Sequence, residues 1–190
     1  MKIKLIITII LVTIIASLIT FFHFKSRKFQ HYLSESQSKS AFNVEVNPNA
    51  PVLAKAKIDI QASNKEVWKV LTQLNNWPEW QTEVSSVEFQ GPIQEGTMFN
   101  WKVGALKFKS RIHTIVPQMY FGWTGEIVGV QAIYNWTIEE SENFVTVYVE
   151  ESLQGPIANI LKSSFQENLK IGMEKNLLEL KHATENISIE

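Results

Sequence analysis

The chain has 190 residues, 45% of them hydrophobic and 19% charged, which suits one globular domain with an appendage and excludes a disordered polymer. It has no cysteine, so disulfide frameworks, thiolate nucleophiles and cysteine-ligated metal centres are excluded. The net charge of -1 conceals an asymmetry: residues 1–28 hold five bases and no acid, and the remainder holds 13 bases against 19 acids, a poor match for nucleic acid.

The first feature in chain order is an uncharged run over residues 5–24, 15 of them apolar. As a helix it would rise roughly 30 Å, the thickness of a bilayer's hydrocarbon core. Lys2 and Lys4 precede it, and Lys25, Arg27 and Lys28 follow. No small-x-small cleavage site follows it, so it reads as a retained transmembrane helix rather than a signal peptide. Residues 1–28 are thus expected to anchor a single-pass membrane protein with the lipid bilayer as partner. The basic flanks are nearly balanced and leave the side of the soluble part open. Residues 29–50 are polar and serine-rich, and are expected to form a tether.

From Pro51 the pattern changes. Val52, Ala54, Ala56, Ile58 and Ile60 alternate with Leu53, Lys55, Lys57 and Asp59, a period of two that predicts a half-buried strand. Ser63 with Glu66 three residues on is a capping-box signature for a short helix carrying Val67, Trp68, Val70, Leu71 and Leu74. That helix breaks at Asn75-Asn76-Trp77-Pro78. Six further strands are predicted near 84–90, 97–103, 106–116, 119–127, 131–139 and 144–153, with turn chemistry such as Gly91-Pro92 and Glu95-Gly96 between them. Gaps this short favour hairpins, hence an antiparallel sheet. Gly155-Pro156 closes the strands, and a long helix is predicted to about Ala183. Its stripe is Ile157, Leu161, Phe165, Leu169, Met173, Leu177 and Leu180, with Gly172 beside it. The expected class is α+β: a seven-stranded curved antiparallel sheet wrapping a long C-terminal helix, plus the N-terminal transmembrane helix.

Four segments, EVWKVLTQLNNWPEW, GTMFNWKV, FGWTGEIVGVQAIYNWTIE and VTVYVEESLQGPIANIL, resemble the polyketide cyclase/dehydrase and lipid-transport family. That family sits in the helix-grip superfamily with START lipid-transfer domains and the birch pollen allergen. The resemblance covers about residues 52–184, within a START-like domain taken as 51–186. It implies the helix-grip fold and a hydrophobic small-molecule ligand in an internal cavity. It implies no cofactor. Function is less specified, because the superfamily holds carriers, cyclases and cochaperones.

No metal-binding, hydrolase-triad or nucleotide motif is present, and the four histidines are scattered. Strand alternation sorts the remaining residues by face. Phe99, Trp101, Phe108, Ile112, Trp123, Tyr134 and Trp136 are expected to face the C-terminal helix and line a pocket. Phe165, Leu169 and Met173 would form its opposite wall, with Gly172 giving room and Trp80 nearby. Ser110 and Thr114 share the inward face of the fourth strand, which leaves His113 on the solvated one. On the last strand Glu151 ends an inward row of valines, as a capping group, a ligand-orienting group or a general base. Tyr134 stands where relatives often carry histidine in an A-I-H-x-W pattern, and a phenol is a poor base at neutral pH. Tyr134 and Glu151 are therefore weak catalytic candidates. Three readings follow: a hydrophobic-ligand binder tethered to a membrane, a cyclase or dehydratase-type enzyme, and a cochaperone-like interaction module. The third expects a filled interior, whereas the first two need a cavity.

Overall fold

The computed structural model describes residues 2–39 and 44–187, with side-chain surroundings in the first helix described for 13–21 and 23–35. Helix α1 is Lys2–Lys39. Strand β1 (Val52–Ile60), helix α2 (Asn64–Thr72), a 3-10 turn (Leu74–Asn76) and helix α3 (Trp77–Trp80) follow. Then come β2 (Val84–Phe89), β3 (Met98–Val103), β4 (Leu106–Val116), β5 (Tyr120–Ile127), β6 (Val130–Glu140) and β7 (Val145–Gln154). Helices α4 (Pro156–Ile160) and α5 (Lys162–Ile187) end the chain. The strands form one antiparallel sheet in the order β1-β7-β6-β5-β4-β3-β2. It holds α5 on its concave face through a core that includes Trp77, Val147, Met173, Leu177 and Leu180. The expected sheet and C-terminal helix are both present.

Local chemistry sets the joints. Ser63 accepts from the Glu66 backbone N–H, and the Glu66 carboxylate accepts from the Ser63 N–H, so the capping box starts α2. Gly155 has φ of +119°, and a Cβ there would come within 2.5 Å of the Gly129 carbonyl oxygen. That turn seats the Ile157 N–H on Gly129 O and starts α4. The single long helix expected from 156 is interrupted at Leu161 (φ -102°, ψ 24°) and runs on to Ile187.

Helix α5 is also fastened to the free edge of β1. The Gln166 side-chain amide accepts from the Leu53 N–H (3.2 Å) and donates to the Leu53 carbonyl (2.9 Å). Further along, Lys181 donates to Asp59 O and Glu185 accepts from the Gln61 N–H.

The apolar stripe of α5 is not uniform. Met173, Leu177 and Leu180 are buried, Phe165 and Leu169 are half-buried, and Leu161 is 45% exposed. The core is therefore solid under the C-terminal half of α5 and hollow under the other half.

The N-terminal region departs from expectation. Among the described residues no helix is long and apolar enough to cross a membrane, which overturns the expected single-pass membrane location. Residues 5–12 of the expected span lie outside the described side chains. From Lys25 onward the helix becomes basic and polar, and it sets Phe29 (1% exposed) against Val44, Val46 and Ile133 on the convex face of the sheet. Residues 29–39, expected as tether, are thus helical.

Residues 44–47 lie as a strap across the same face. Asn135 Nδ2 donates to Val44 O (2.7 Å), the Val44 N–H donates to Thr114 Oγ1 (3.4 Å) and the Asn47 N–H donates to Ser152 Oγ (3.0 Å). Tyr32 donates its hydroxyl proton to Val46 O at 3.0 Å. His113, expected on a solvated face, is buried here and shares a 2.8 Å hydrogen bond with Thr114. That face is not solvated because the strap lies across it; β4 also bulges, pairing Ile112 with Trp123 and then Thr114 with Gly122, so that Thr114 turns outward instead of inward. Burial pushes the His113 imidazole down to about 3.

Candidate functional site

A cavity of about 370 Å³ lies between the concave face of the sheet and the N-terminal half of α5. Its walls follow from strand parity. Trp101 of β3, Phe108 of β4 and Trp123 of β5 face it, as do Tyr134 and Trp136 of β6. On the helix side stand Phe165, Leu169, Gly172 and Met173. Glu151 and Leu153 of β7 close the inner wall. The rings hold one another: Trp123 stacks on Tyr134 at 4.7 Å, and Trp101 stacks on Phe108 at 4.8 Å. Trp101 donates its indole N–H to Ser110 Oγ (3.0 Å).

Three residues expected on this wall are elsewhere. Phe99 and Ile112 share the inward face but are packed solid, Phe99 edge-on to Trp77 at 5.8 Å. Trp80, the last residue of α3, packs against the core and does not reach the cavity. Trp77, not singled out from sequence, takes the central place, touching Phe99, Trp101 and Trp123 and donating its N–H to Leu71 O. Sequence reading also missed the residues that make the room. Gly125 of β5 and Ala132 of β6 are register partners on the cavity wall. A glycine inside a predicted strand was the available signal. A Cβ added at Gly172 would meet nothing within 4 Å, so that helix position faces open space.

The cavity lining includes exposed Glu83, Leu106 and Asn168, so the space opens beside the β2 edge. Here Lys175 pairs with Glu83 (3.0 Å), and Thr82 donates to Glu179. Deeper, Asn176 Nδ2 donates to Gln81 Oε1 at 3.1 Å. These contacts tie α5 to the α3–β2 segment across the mouth.

Inside, polar groups are few. Glu151 borders the cavity and keeps some accessible surface there, but it is enclosed by protein, and burial pushes its carboxyl up to about 8. Tyr134 is its cross-strand partner, raised well above the usual phenol range by burial and then by Glu151. Among the described residues no group of three or more His, Asp or Glu is placed to hold a metal ion. The arrangement can enclose an apolar molecule and offer it one titratable end.

Residues 51–185 match the family described as polyketide cyclase / dehydrase and lipid transport. No curated protein matches the chain. Among solved structures, hypothetical protein jhp0584 from Helicobacter pylori is similar with a TM-score of 0.67 and 14% identity, over 76% of this chain and 96% of that one. The di-domain ARO/CYC proteins StfQ, of the steffimycin biosynthetic pathway, and BexL, of the BE-7585A pathway, are similar with TM-scores of 0.61 and 0.60. Their identities are 9% and 19%; the match takes in 74% and 75% of this chain and 54% and 53% of theirs. Likeness at these identities establishes the fold.

Proposed function

From the premise that this chain belongs to the polyketide cyclase / dehydrase and lipid transport family, we propose that it binds a hydrophobic small molecule, lipid or polyketide-like, in the cavity beneath α5. The observation that carries the reading is the cavity itself. At about 370 Å³ it falls among small-molecule sites of roughly 300–1,000 Å³. Its wall is aromatic and aliphatic, and its one cation, Lys175, sits at the rim paired with Glu83. Moving apolar ligand surface there from water contributes about 25 cal/mol per Å², less the cost of ordering. A filled interior, which an interaction module would favour, is not what this domain has.

A cyclase or dehydratase reading draws support from a separate observation. Glu151, in the same cavity, is pushed by burial up to about 8, which suits it to proton transfer. Tyr134 beside it holds its proton and is suited to orienting a carbonyl.

The test is titration of an environment-sensitive apolar dye. Wild type should bind it saturably. Gly172→Leu projects a side chain into open space and should weaken binding at least about tenfold, which corresponds to ~1.4 kcal/mol, without lowering the unfolding temperature. Equal affinity in both proteins, or no saturable binding in either, would count against an accessible cavity. For the enzyme reading, the measurement is turnover of a poly-β-ketone substrate by wild type and by Glu151→Gln. Equal turnover in the two removes the carboxyl from the chemistry.

A further inference from the structure

The inner wall of the cavity has an unusual property for a buried surface. Tyr134 and Glu151 are register partners on adjoining strands, and both face the space. Among the described residues neither side chain is hydrogen-bonded to another protein group. Buried polar groups are nearly always satisfied, and each exception requires an explanation. Leaving such a group unmade costs about 1–3 kcal/mol. The Tyr134 hydroxyl and the Glu151 carboxyl sit together on one wall of a largely apolar space, and a ligand that reaches this wall can satisfy both.

We propose that Tyr134 and Glu151 form a hydrogen-bonding end wall that selects, among apolar molecules, those carrying an uncharged acceptor oxygen such as a ketone, and rejects carboxylates. This inference rests on the cavity-binding reading and adds the class of ligand to it.

The charge environment supports the selection. On β6 the group facing Glu151 is Tyr134; on β1 its partner is Ala54; and Glu150, next along β7, points to the convex face and pairs with Lys55. From α5 the polar or charged residues lining the cavity are Asn168, Lys175, Asn176 and Glu179, and Glu83 precedes β2. Lys175 is engaged by Glu83 at 3.0 Å and Glu179 at 3.9 Å. No cation is thus free in the lining to receive an anionic headgroup. Burial alone accounts for the Glu151 shift to about 8, so near neutral pH the carboxyl keeps its proton and donates. The Tyr134 phenol donates as well, so the wall presents two donors. A carboxylate ligand entering it would lose its hydration without gaining a counter-charge.

The experiment uses three probes that share a ring system: 2-acetylnaphthalene, 2-ethylnaphthalene and 2-naphthoate. Binding to the full chain is measured by equilibrium dialysis at about pH 6 and about pH 9.5, on either side of the raised Glu151 carboxyl at about 8. At the lower pH the ketone should bind about tenfold more tightly than the hydrocarbon, the effect of one to two well-made hydrogen bonds, and naphthoate should bind most weakly. At the higher pH the ketone preference should shrink severalfold. Glu151→Gln, whose amide still donates, should keep the preference at both pH values. Glu151→Leu should lose most of it while still binding 2-ethylnaphthalene, which shows that the variant is folded with its cavity intact. Equal binding of ketone and hydrocarbon by wild type, or a preference undiminished in Glu151→Leu, overturns the selective wall but leaves the cavity reading standing. Failure of every probe to bind overturns both.

Discussion

Gly122 sits where the convex face of the sheet meets the strap of residues 44–47, and replacing it by alanine is a stringent test of that contact. A Cβ at this position lies 2.5 Å from His113 Cε1 and 2.6 Å from Asn135 Oδ1. Ordinary contacts of carbon are about 3.5–4.0 Å, so both neighbours must retreat by roughly 1 Å. Neither is the loose end of a flexible side chain. The imidazole is bonded to Thr114, and the Asn135 amide holds Val44 O at 2.7 Å. Overpacking of this kind costs about 1–3 kcal/mol, and losing the Asn135–Val44 bond adds about 1. We therefore expect Gly122→Ala to destabilise the protein by roughly 2–4 kcal/mol, read from the urea midpoint at constant slope. In a His113→Ala background half of the overlap is gone, and the penalty should fall by more than about 1 kcal/mol, a coupling measurable as a double-mutant cycle. An unchanged midpoint for Gly122→Ala, or the same penalty with and without the imidazole, would show that the strap is not packed as described.

Two buried groups set the pH dependence of stability with opposite signs. His113 has a folded value of about 3 against an ordinary 6.5, so the unfolded chain binds the extra proton and stability should fall as pH drops from about 6.5 towards 3. Glu151, at about 8 against 4.5, binds its proton in the folded state, so its contribution is fully present below about 4.5 and is lost as pH rises through 8. Urea titrations across pH should show Glu151→Gln abolishing the alkaline decline while leaving the acid one, and a decline of wild-type size in that variant would refute the assignment. Phe29→Ala removes a ring that is 1% exposed in a small satellite cluster and should cost a few kcal/mol of local stability. It should speed proteolysis within residues 29–50 severalfold, and an unchanged cleavage rate would mean that the helix end is not seated on the sheet.

The sheet was legible because its strands alternate cleanly. Val52 to Ile60 and the inward row Val145, Val147, Val149 and Glu151 name their faces without help from the rest of the molecule. What alternation cannot report is a change of phase. The bulge at His113 leaves no mark in composition, and it reverses the face of Thr114. Nor does it distinguish a ring that lines space from one that fills it. Phe99 and Trp101 share a face, yet Trp77, arriving from a distant turn, packs Phe99 solid and leaves Trp101 half-open. The hollow depends on small residues, Gly125 beside Ala132 and Gly172 across from them, and a deficit of volume is a property of the assembled walls. The N-terminal run misled for a related reason. Apolarity measured along the chain did not reveal that the helix continues past it as a basic segment seated on protein by Phe29.

The fastening of α5 to β1 bears on how this sheet meets other chains. An outer strand ordinarily presents a row of unpaired amides and carbonyls to any passing extended peptide. Here the Gln166 amide stands in for a neighbouring strand by taking both backbone groups of Leu53, while Lys181 and Glu185 occupy Asp59 O and the Gln61 N–H. Between these points the convex side carries Lys55 and Lys57, charges that discourage a further strand from settling. Sheet extension through β1 is therefore obstructed at both of its ends by side chains of the protein's own helix. The edge left for an added strand is β2, beside the mouth of the cavity, so a peptide or second copy pairing there would also stand at the ligand's entrance.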